Sequence, residues 1–172
     1  RVIVFAYGKS MDELCFIGFV NIKDELRSEA KEGVRLIKGA GIKPIMVTGD
    51  AKDTAEAIAR EVGLIDINSN LALSSEELAK LSDEEIKKKY KNIAVIARAL
   101  PSDKSRMVNI LESMDLVVGM TGDGVNDAPA LKKANVGFAV GSGTDVAKEA
   151  ADIVILDNNI LSISKAILYG RT

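Results

Sequence analysis

The 172 residues contain no histidine and a single cysteine. Without an imidazole there is no histidine base and no zinc site of the usual kind. Cys15 has no second cysteine to bridge within the chain, which suits a reducing cytosolic setting. It reads as a small apolar residue in a strand. No apolar run approaches the ~18 residues of a spanning helix, and no charged start followed by an apolar stretch marks a signal peptide. A net charge of −2 leaves no basic surplus for nucleic acid or an anionic membrane, so a small-molecule partner is expected. The first residue is Arg1 rather than methionine, as in an excised fragment.

What is present is the composition of a soluble globular domain, 47% hydrophobic and 28% charged. A chain of this length buries roughly two-thirds of its unfolded surface in one compact domain. Segments 2–7 and 14–20 are short, apolar and rich in β-branched and aromatic residues, and predict a strand pair. From residue 25 the period changes, because Leu26, Ala30, Val34 and Ile37 share one helical face until Gly39 and Gly41 stop it. Strands are then predicted at 43–48, 93–97, 116–120, 136–140 and 153–156, with helices at 51–62, 102–113, 127–134, 145–150 and 160–169. This repetition implies an α/β fold, a Rossmann-like parallel sheet with helices on both faces. Residues 66–92 read as an insertion with two capping boxes, Ser74 to Glu77 and Ser82 to Glu85. The run Asp83-Glu84-Glu85 followed by Lys87-Lys88-Lys89 reads as a solvated helix face whose charges suit the macrodipole.

In doubly wound sheets ligands bind beyond the carboxyl ends of the strands. There the chain places Thr48-Gly49-Asp50, Arg98 with Lys104 at the next helix start, and Thr121-Gly122-Asp123-Gly124-Val125-Asn126-Asp127. A threonine hydroxyl and glycine amides at a helix start can hold phosphate oxygens. Asp123 and Asp127 offer hard oxygens for Mg²⁺ or a cationic partner. Lys104 supplies a point charge for a phosphoryl group, and Arg98 a planar fork for phosphate or ribose oxygens. Each piece also has a plain reading: strand-to-helix turns with aspartate caps, a surface arginine, a solvated lysine. Their joint placement at strand ends favours phosphoryl chemistry. Gly8-Lys9-Ser10 is not a P-loop, since Ile3 stands where its first glycine is required. Gly141-Ser142-Gly143-Thr144 reads as a tight turn or an anion cradle.

These residues carry a resemblance. Thr121-Gly-Asp-Gly-Val-Asn-Asp-Ala-Pro-Ala-Leu-Lys-Lys-Ala134 is similar to the hinge signature of P-type ATPases. Asp24-Glu-Leu-Arg27 resembles that family's Asp-Pro-Pro-Arg element. Thr48-Gly-Asp50, Ala97-Arg98, Pro101-Ser-Asp-Lys104 and the stretch from Gly143 to Asp157 follow in the family's order, most closely that of the calcium-pump branch. The resemblance implies a haloacid dehalogenase-like phosphorylation domain that works with Mg²⁺ and ATP. Such a domain would come from a cation pump integral to a membrane, with this domain on the cytoplasmic side and the fragment itself soluble.

By motif position, Asp123 would hold Mg²⁺ and Asp127 would orient Lys104 or assist the metal. Lys104 would neutralise the phosphoryl group, and Thr48 and Gly49 would bind its oxygens. Asp50, Arg98 and Asn126 would contact the nucleotide or its phosphates, and Arg27 would lie near the nucleotide at the hinge. Residues 1–22 would be remnant strands from the end of the nucleotide-binding domain and the hinge, and 23–172 the C-terminal portion of the phosphorylation domain.

The family's phosphorylated aspartate lies in Asp-Lys-Thr-Gly-Thr, which occurs nowhere in this chain. The isolated chain is therefore expected not to turn over ATP. The same missing segment supplies the family's central strand, between the strands ending at Thr48 and Met120. Two unpaired edges would cost about 1 to 3 kcal/mol per buried group, so segment 2–7 is expected to fill the gap, within one chain or swapped in a homodimer. Two rival readings remain. One is a stand-alone phosphatase of the same superfamily, although none of the thirteen aspartates has the expected nucleophile setting. The other is a non-catalytic module binding Mg²⁺ or nucleotide.

Overall fold

The computed structural model describes residues 2–22, 26–65 and 71–171. Helices and parallel strands alternate as expected, and an antiparallel pair stands at the N-terminus. Strand β1 (Val2–Tyr7) pairs with β2 (Cys15–Asn21), with a bulge that leaves Ile17 as the extra residue opposite Phe5 and Ala6. Helix α1 (Ala30–Gly39) follows, then β3 (Met46–Val47), α2 (Lys52–Glu61), β4 (Leu71–Ser74), α3 (Ser75–Ala79), α4 (Asp83–Lys89) and β5 (Ile93–Ala97). The second half contains α5 (Pro101–Glu112), β6 (Gly119–Gly122), α6 (Ala128–Lys133), β7 (Val136–Val140), α7 (Asp145–Ala150), β8 (Ile153–Ile155) and α8 (Ile160–Gly170). Among the described residues, no helix is long and apolar enough to cross a membrane. Asp24 and Glu25 of the Asp24-to-Arg27 element, and 66–70 of the insertion, lie outside the described residues.

The parallel strands form two sheets of three, ordered β3-β5-β4 and β6-β7-β8. Two expectations are corrected here. The segment assigned wholly to an insertion contributes β4, an edge strand of the first sheet. And β1 does not fill the gap between the strands ending near Thr48 and Met120: its strand partner is β2. The reason is local. A turn of seven residues closes the hairpin at small entropic cost, whereas a parallel partner requires a crossover of a dozen residues or more. The hairpin therefore leaves the first edge of β3 and the first edge of β6 without a strand partner among the described residues.

β5 is the buried centre of the first sheet, with all five residues inaccessible to solvent. Its register against β4 steps from Ile93 to Val95 while β4 steps only from Leu71 to Ala72, so Ala94 is an extra residue. The bulge breaks the strict alternation of side chains. Ile93 and Ile96 consequently join one cluster with Leu73, Leu78, Ile86, Met107 and Ile110, while Ala94, Val95 and Ala97 pack with Val34, Ala55 and Ala59 of α1 and α2. Helix α5 joins the two halves. Its Met107 and Ile110 enter the first sheet's cluster, and its Val108 packs with Val118, Ala130 and Ala134 beside the second. Both expected capping boxes form, with Glu77 N–H on the Ser74 hydroxyl at 3.2 Å and Glu85 N–H on that of Ser82 at 3.3 Å. Each glutamate returns a carboxylate oxygen to the cap residue's own N–H.

Helices α1 and α8 pack closely enough that Gly33 has no room for a methyl: a Cβ there would sit 2.3 Å from Ile160 Cγ2. Gly39, in the same helix, would meet nothing within 4 Å. Gly33→Ala is therefore expected to destabilise the chain by about 1 to 3 kcal/mol through overpacking. Gly39→Ala should stabilise it by about 0.5 to 1 kcal/mol through helix propensity. Urea midpoints at unchanged slope check both.

Candidate functional site

Three groups of the expected residues emerge. The first is built on the loop after β6. Glycine at 122 permits a sharp return, since a Cβ there would lie 2.4 Å from Asp127 Cβ. The chain then makes a 3-10 turn, Val125–Asp127, closed by Asp127 N–H on the Gly124 carbonyl at 3.0 Å. This brings the Asp127 carboxylate back under the loop. Its Oδ2 accepts the amides of Asp123 and Gly124 at 3.1 and 3.2 Å. Its Oδ1 accepts Lys104 Nζ from the first turn of α5.

Asp127 is only 4% exposed. Burial pushes its carboxyl up, but the Lys104 ammonium and the two amides outweigh burial and hold it below the ordinary carboxylate value. Asp123 itself is exposed. Its backbone is fixed from both sides, with its N–H on Asp127 and its carbonyl accepting Thr144 N–H at 2.8 Å. The loop before α7 thus seats Asp123. A Cβ at Gly143 would come within 2.9 Å of the Asp123 carbonyl oxygen. Of the two sequence readings for Gly141 to Thr144, the turn is a structural support whose purpose a single sequence does not display.

The second group lies beyond β3 and β5. Thr48 Oγ1 donates to Asp50 Oδ2 at 3.0 Å and accepts Asp50 N–H at 3.1 Å. Arg98 follows β5 in a left-handed conformation, φ 49°. That twist places its N–H on the Asp50 carbonyl at 2.9 Å and lets Ala99 N–H reach the Thr48 carbonyl at 2.9 Å. A left-handed arginine is strained, and strain of this kind persists where the surroundings over-determine it. Gly49 is exposed, and a Cβ there would meet nothing within 4 Å, so the chain's own packing does not require its bare backbone.

Arg27 forms the third group. Its Nη1 donates to the Asn158 carbonyl at 2.9 Å, and the Asn158 side chain accepts Ser142 N–H at 3.0 Å. Arg27 is therefore tied to the loop that seats Asp123, without touching it. Asn126 is exposed on the 3-10 turn. Sequence reasoning placed Gly122 and Thr144 in their motifs without these structural roles, and passed over the Asp103–Ser75 pair at the start of α5. Asp103 had one readable signal, its position three residues after the residue that precedes the helix.

Among the described residues there is no cluster of three metal-ligating side chains. Asp123 presents one exposed carboxylate, whereas both oxygens of Asp127 are engaged. This donor set suits Mg²⁺, which uses one or two carboxylates together with substrate phosphate oxygens and waters. Of the two roles expected for Asp127, its bonds support orienting Lys104.

The sign of the Asp127 shift sets a pH dependence. Its folded pKa is depressed, so its stabilisation is complete above the ordinary carboxylate value and is lost as pH falls through the lower folded value. Asp127→Asn is expected to flatten that acid limb in urea denaturation. Asp127→Ala should cost about 3 to 5 kcal/mol at neutral pH, because it leaves Lys104 charged and unpaired in a largely buried place.

Comparison with known proteins agrees with this geometry. A family described as haloacid dehalogenase-like hydrolase matches residues 4–135, and a second family of the same description matches 109–167. Calcium-transporting ATPase 1 of Lactococcus lactis is 42% identical over 99% of the chain, which covers 21% of that protein. Calcium-transporting ATPase 1 of Bacillus cereus is 47% identical over 93%, covering 18%. The endoplasmic reticulum calcium ATPase srcA of Aspergillus fumigatus is 42% identical over 96%, covering 17%. The chain thus spans about a fifth of the length of these relatives. A solved catalytic domain of the CPx-ATPase CopB-B superposes with a TM-score of 0.62 at 26% identity, over 96% of this chain and 57% of that one. A family match over residues 4–135, a parallel α/β fold and carboxylates and a lysine gathered at strand ends all place the chain in the haloacid dehalogenase-like hydrolase family.

Proposed function

We infer that this chain is the phosphorylation domain of an ATP-driven P-type cation pump, of the calcium-transporting kind, and that it supplies every charged part of the phosphoryl site except the aspartate that is phosphorylated. The observation that carries this reading is the buried Lys104–Asp127 pair held by the Asp123–Gly124 amides at the end of β6. The relatives at 42% to 47% identity are named calcium-transporting ATPases. In the parent, the domain lies on the cytoplasmic side of a membrane, and the cation crosses through parts this sequence does not contain.

Phosphoryl transfer is mostly positioning and charge neutralisation. Lys104 carries its charge to the phosphoryl group, kept in place by Asp127 rather than by solvent. Thr48 offers a hydroxyl whose present partner, Asp50, is exposed and replaceable by a phosphate oxygen. Gly49 offers an amide with open space around its Cα. Asp50, Arg98 and Asn126 contact the nucleotide or its phosphates, and Arg27 stands beside the nucleotide. Asp123 holds Mg²⁺, which when bound neutralises charge on the phosphate oxygens.

The missing aspartate also accounts for the open edges. Among the described residues β3 and β6 each have one side without a strand partner, and a parallel strand carrying the nucleophile would pair there and deliver its carboxylate between Thr48 and Asp123. The N-terminal hairpin belongs elsewhere. Val2, Val4, Phe16 and Phe19 on one face, and Ile3, Phe5, Tyr7 and Val20 on the other, are all at least 46% exposed. A ribbon apolar on both faces is barely stable alone and reads as part of a larger sheet. We take residues 1–22 as the last strands of the neighbouring nucleotide-binding domain and 23–172 as phosphorylation domain.

Titration of Mg²⁺ with a non-hydrolysable ATP analogue, followed by backbone amide shifts, tests the reading. Perturbations are expected at Thr48 to Asp50, Arg98, Lys104 and Asp123 to Asp127, and they should be lost in Asp123→Asn. The same chain should hydrolyse no ATP. Hydrolysis that survives Asp123→Asn, or a response spread outside these loops, would overturn the assignment.

A further inference from the structure

Helix α5 starts in an unusual way. Its N-cap is Leu100, whose side chain has no acceptor for the free amides of the first turn. A serine, threonine or asparagine at that place would cap the helix without burying charge. Instead Asp103, only 7% exposed, turns its Oδ2 back to Leu100 N–H at 2.9 Å and takes the Ser75 hydroxyl at 2.6 Å. Both donors are neutral, and no cation pairs with Asp103 among the described residues. A buried carboxylate held only by neutral donors is a costly choice where a polar neutral residue would serve.

The next residue is Lys104. Asp103 and Arg106, three apart, share the face of α5 turned towards α3 and α4. Arg106 holds the Leu78 and Leu81 carbonyls at 3.1 and 2.7 Å and the Asp83 carboxylate at 2.7 and 2.9 Å. Lys104 lies on the adjoining face and reaches Asp127. Lysine is a flexible four-carbon stem, so where its ammonium arrives depends on how the first helical turn is rotated. Arg106 docks α5 one turn further in; what fixes the rotation of the first turn is Asp103.

We propose that Asp103 is a positioning residue for Lys104, and that Ser75 couples the α3–α4 segment to the phosphate-neutralising lysine through it. The proposal rests on Lys104 having that role, but its test does not require a nucleotide. Asp103 acts through the helix rather than by touching substrate. The α3–α4 segment, β4's continuation at the edge of the first sheet, thereby becomes part of the site's framework.

The measurement is the ammonium ¹H–¹⁵N signal of Lys104 in chain labelled with ¹⁵N at lysine and arginine, at one pH and low temperature, assigned with Lys104→Met. A hydrogen-bonded ammonium in a buried ion pair exchanges slowly and is seen; a solvated one is not. The Arg106 Nε–H signal, held by Asp83, reports whether α5 is still docked. In Asp103→Ala the Lys104 signal should be lost while the Arg106 signal remains. Asp103→Asn should restore it, since the amide oxygen still accepts Leu100 N–H, and Ser75→Ala should weaken it. Should Asp103→Ala not fold, the Ser75→Ala and Asp103→Asn chains carry the same comparison. A Lys104 signal unchanged in these variants, or lost only together with that of Arg106, overturns the proposal. Failure of the nucleotide titration with this result intact would sink the phosphoryl assignment alone.

Discussion

A carboxylate taken out of water must be given donors for both oxygens, and the structure around Asp127 follows from that requirement. One oxygen takes an ammonium and the other takes two amides. The ammonium has to come from α5, so the helix that bridges the two sheets must point its first turn at the end of β6. The amides have to come from the loop itself, so residues 123 and 124 must fold back over the 3-10 turn. Glycine at 122 is the consequence, because any side chain there would occupy the place of the Asp127 side chain. One buried charge thus fixes a helix, a loop and a glycine.

The positions of the candidate residues were largely legible because ligand sites recur at strand ends, and strand ends could be read from the alternation of apolar runs and helical periods. Strand β7 and helix α7 have the expected limits, and the two capping boxes form as their spacing implies. Boundaries drifted where packing rather than pattern decides. The strand expected over 43–48 pairs only at Met46 and Val47, since a parallel strand with one neighbour retains few ladder bonds. β4 was hidden because four residues, Leu71 to Ser74, carry too short an alternation to be told from a loop next to a helix cap.

Long-range facts were not legible. That β1 pairs with β2, and not with the core, is a contest between a local antiparallel turn and a distant parallel slot, and the local pairing wins on closure entropy. That Ser75 meets Asp103 across 28 positions, or that Thr144 holds Asp123, depends on loops converging at one edge of the fold. Nothing in a lone serine or a lone glycine announces its partner. By contrast, Arg98 drew notice by its place after β5, and the structure adds a reason: its left-handed backbone locks the β3 and β5 loops together.

The pairing of Asp123 with Asp127 also clarifies how one loop can carry two carboxylates with different work. Four residues apart and of one chemical type, they differ only in surroundings. Asp127 is buried, bonded at both oxygens and held as an anion by its partners, so it is poorly placed to exchange ligands. Asp123 is exposed, and its mobility is limited through its backbone, which is bonded at N–H and carbonyl alike. A residue that must acquire and release a hydrated cation needs a free carboxylate on a fixed base. A residue that must hold a lysine needs the reverse. On the proposed reading the loop meets both needs, because the side chain of Asp127 is the anchor for the backbone of Asp123.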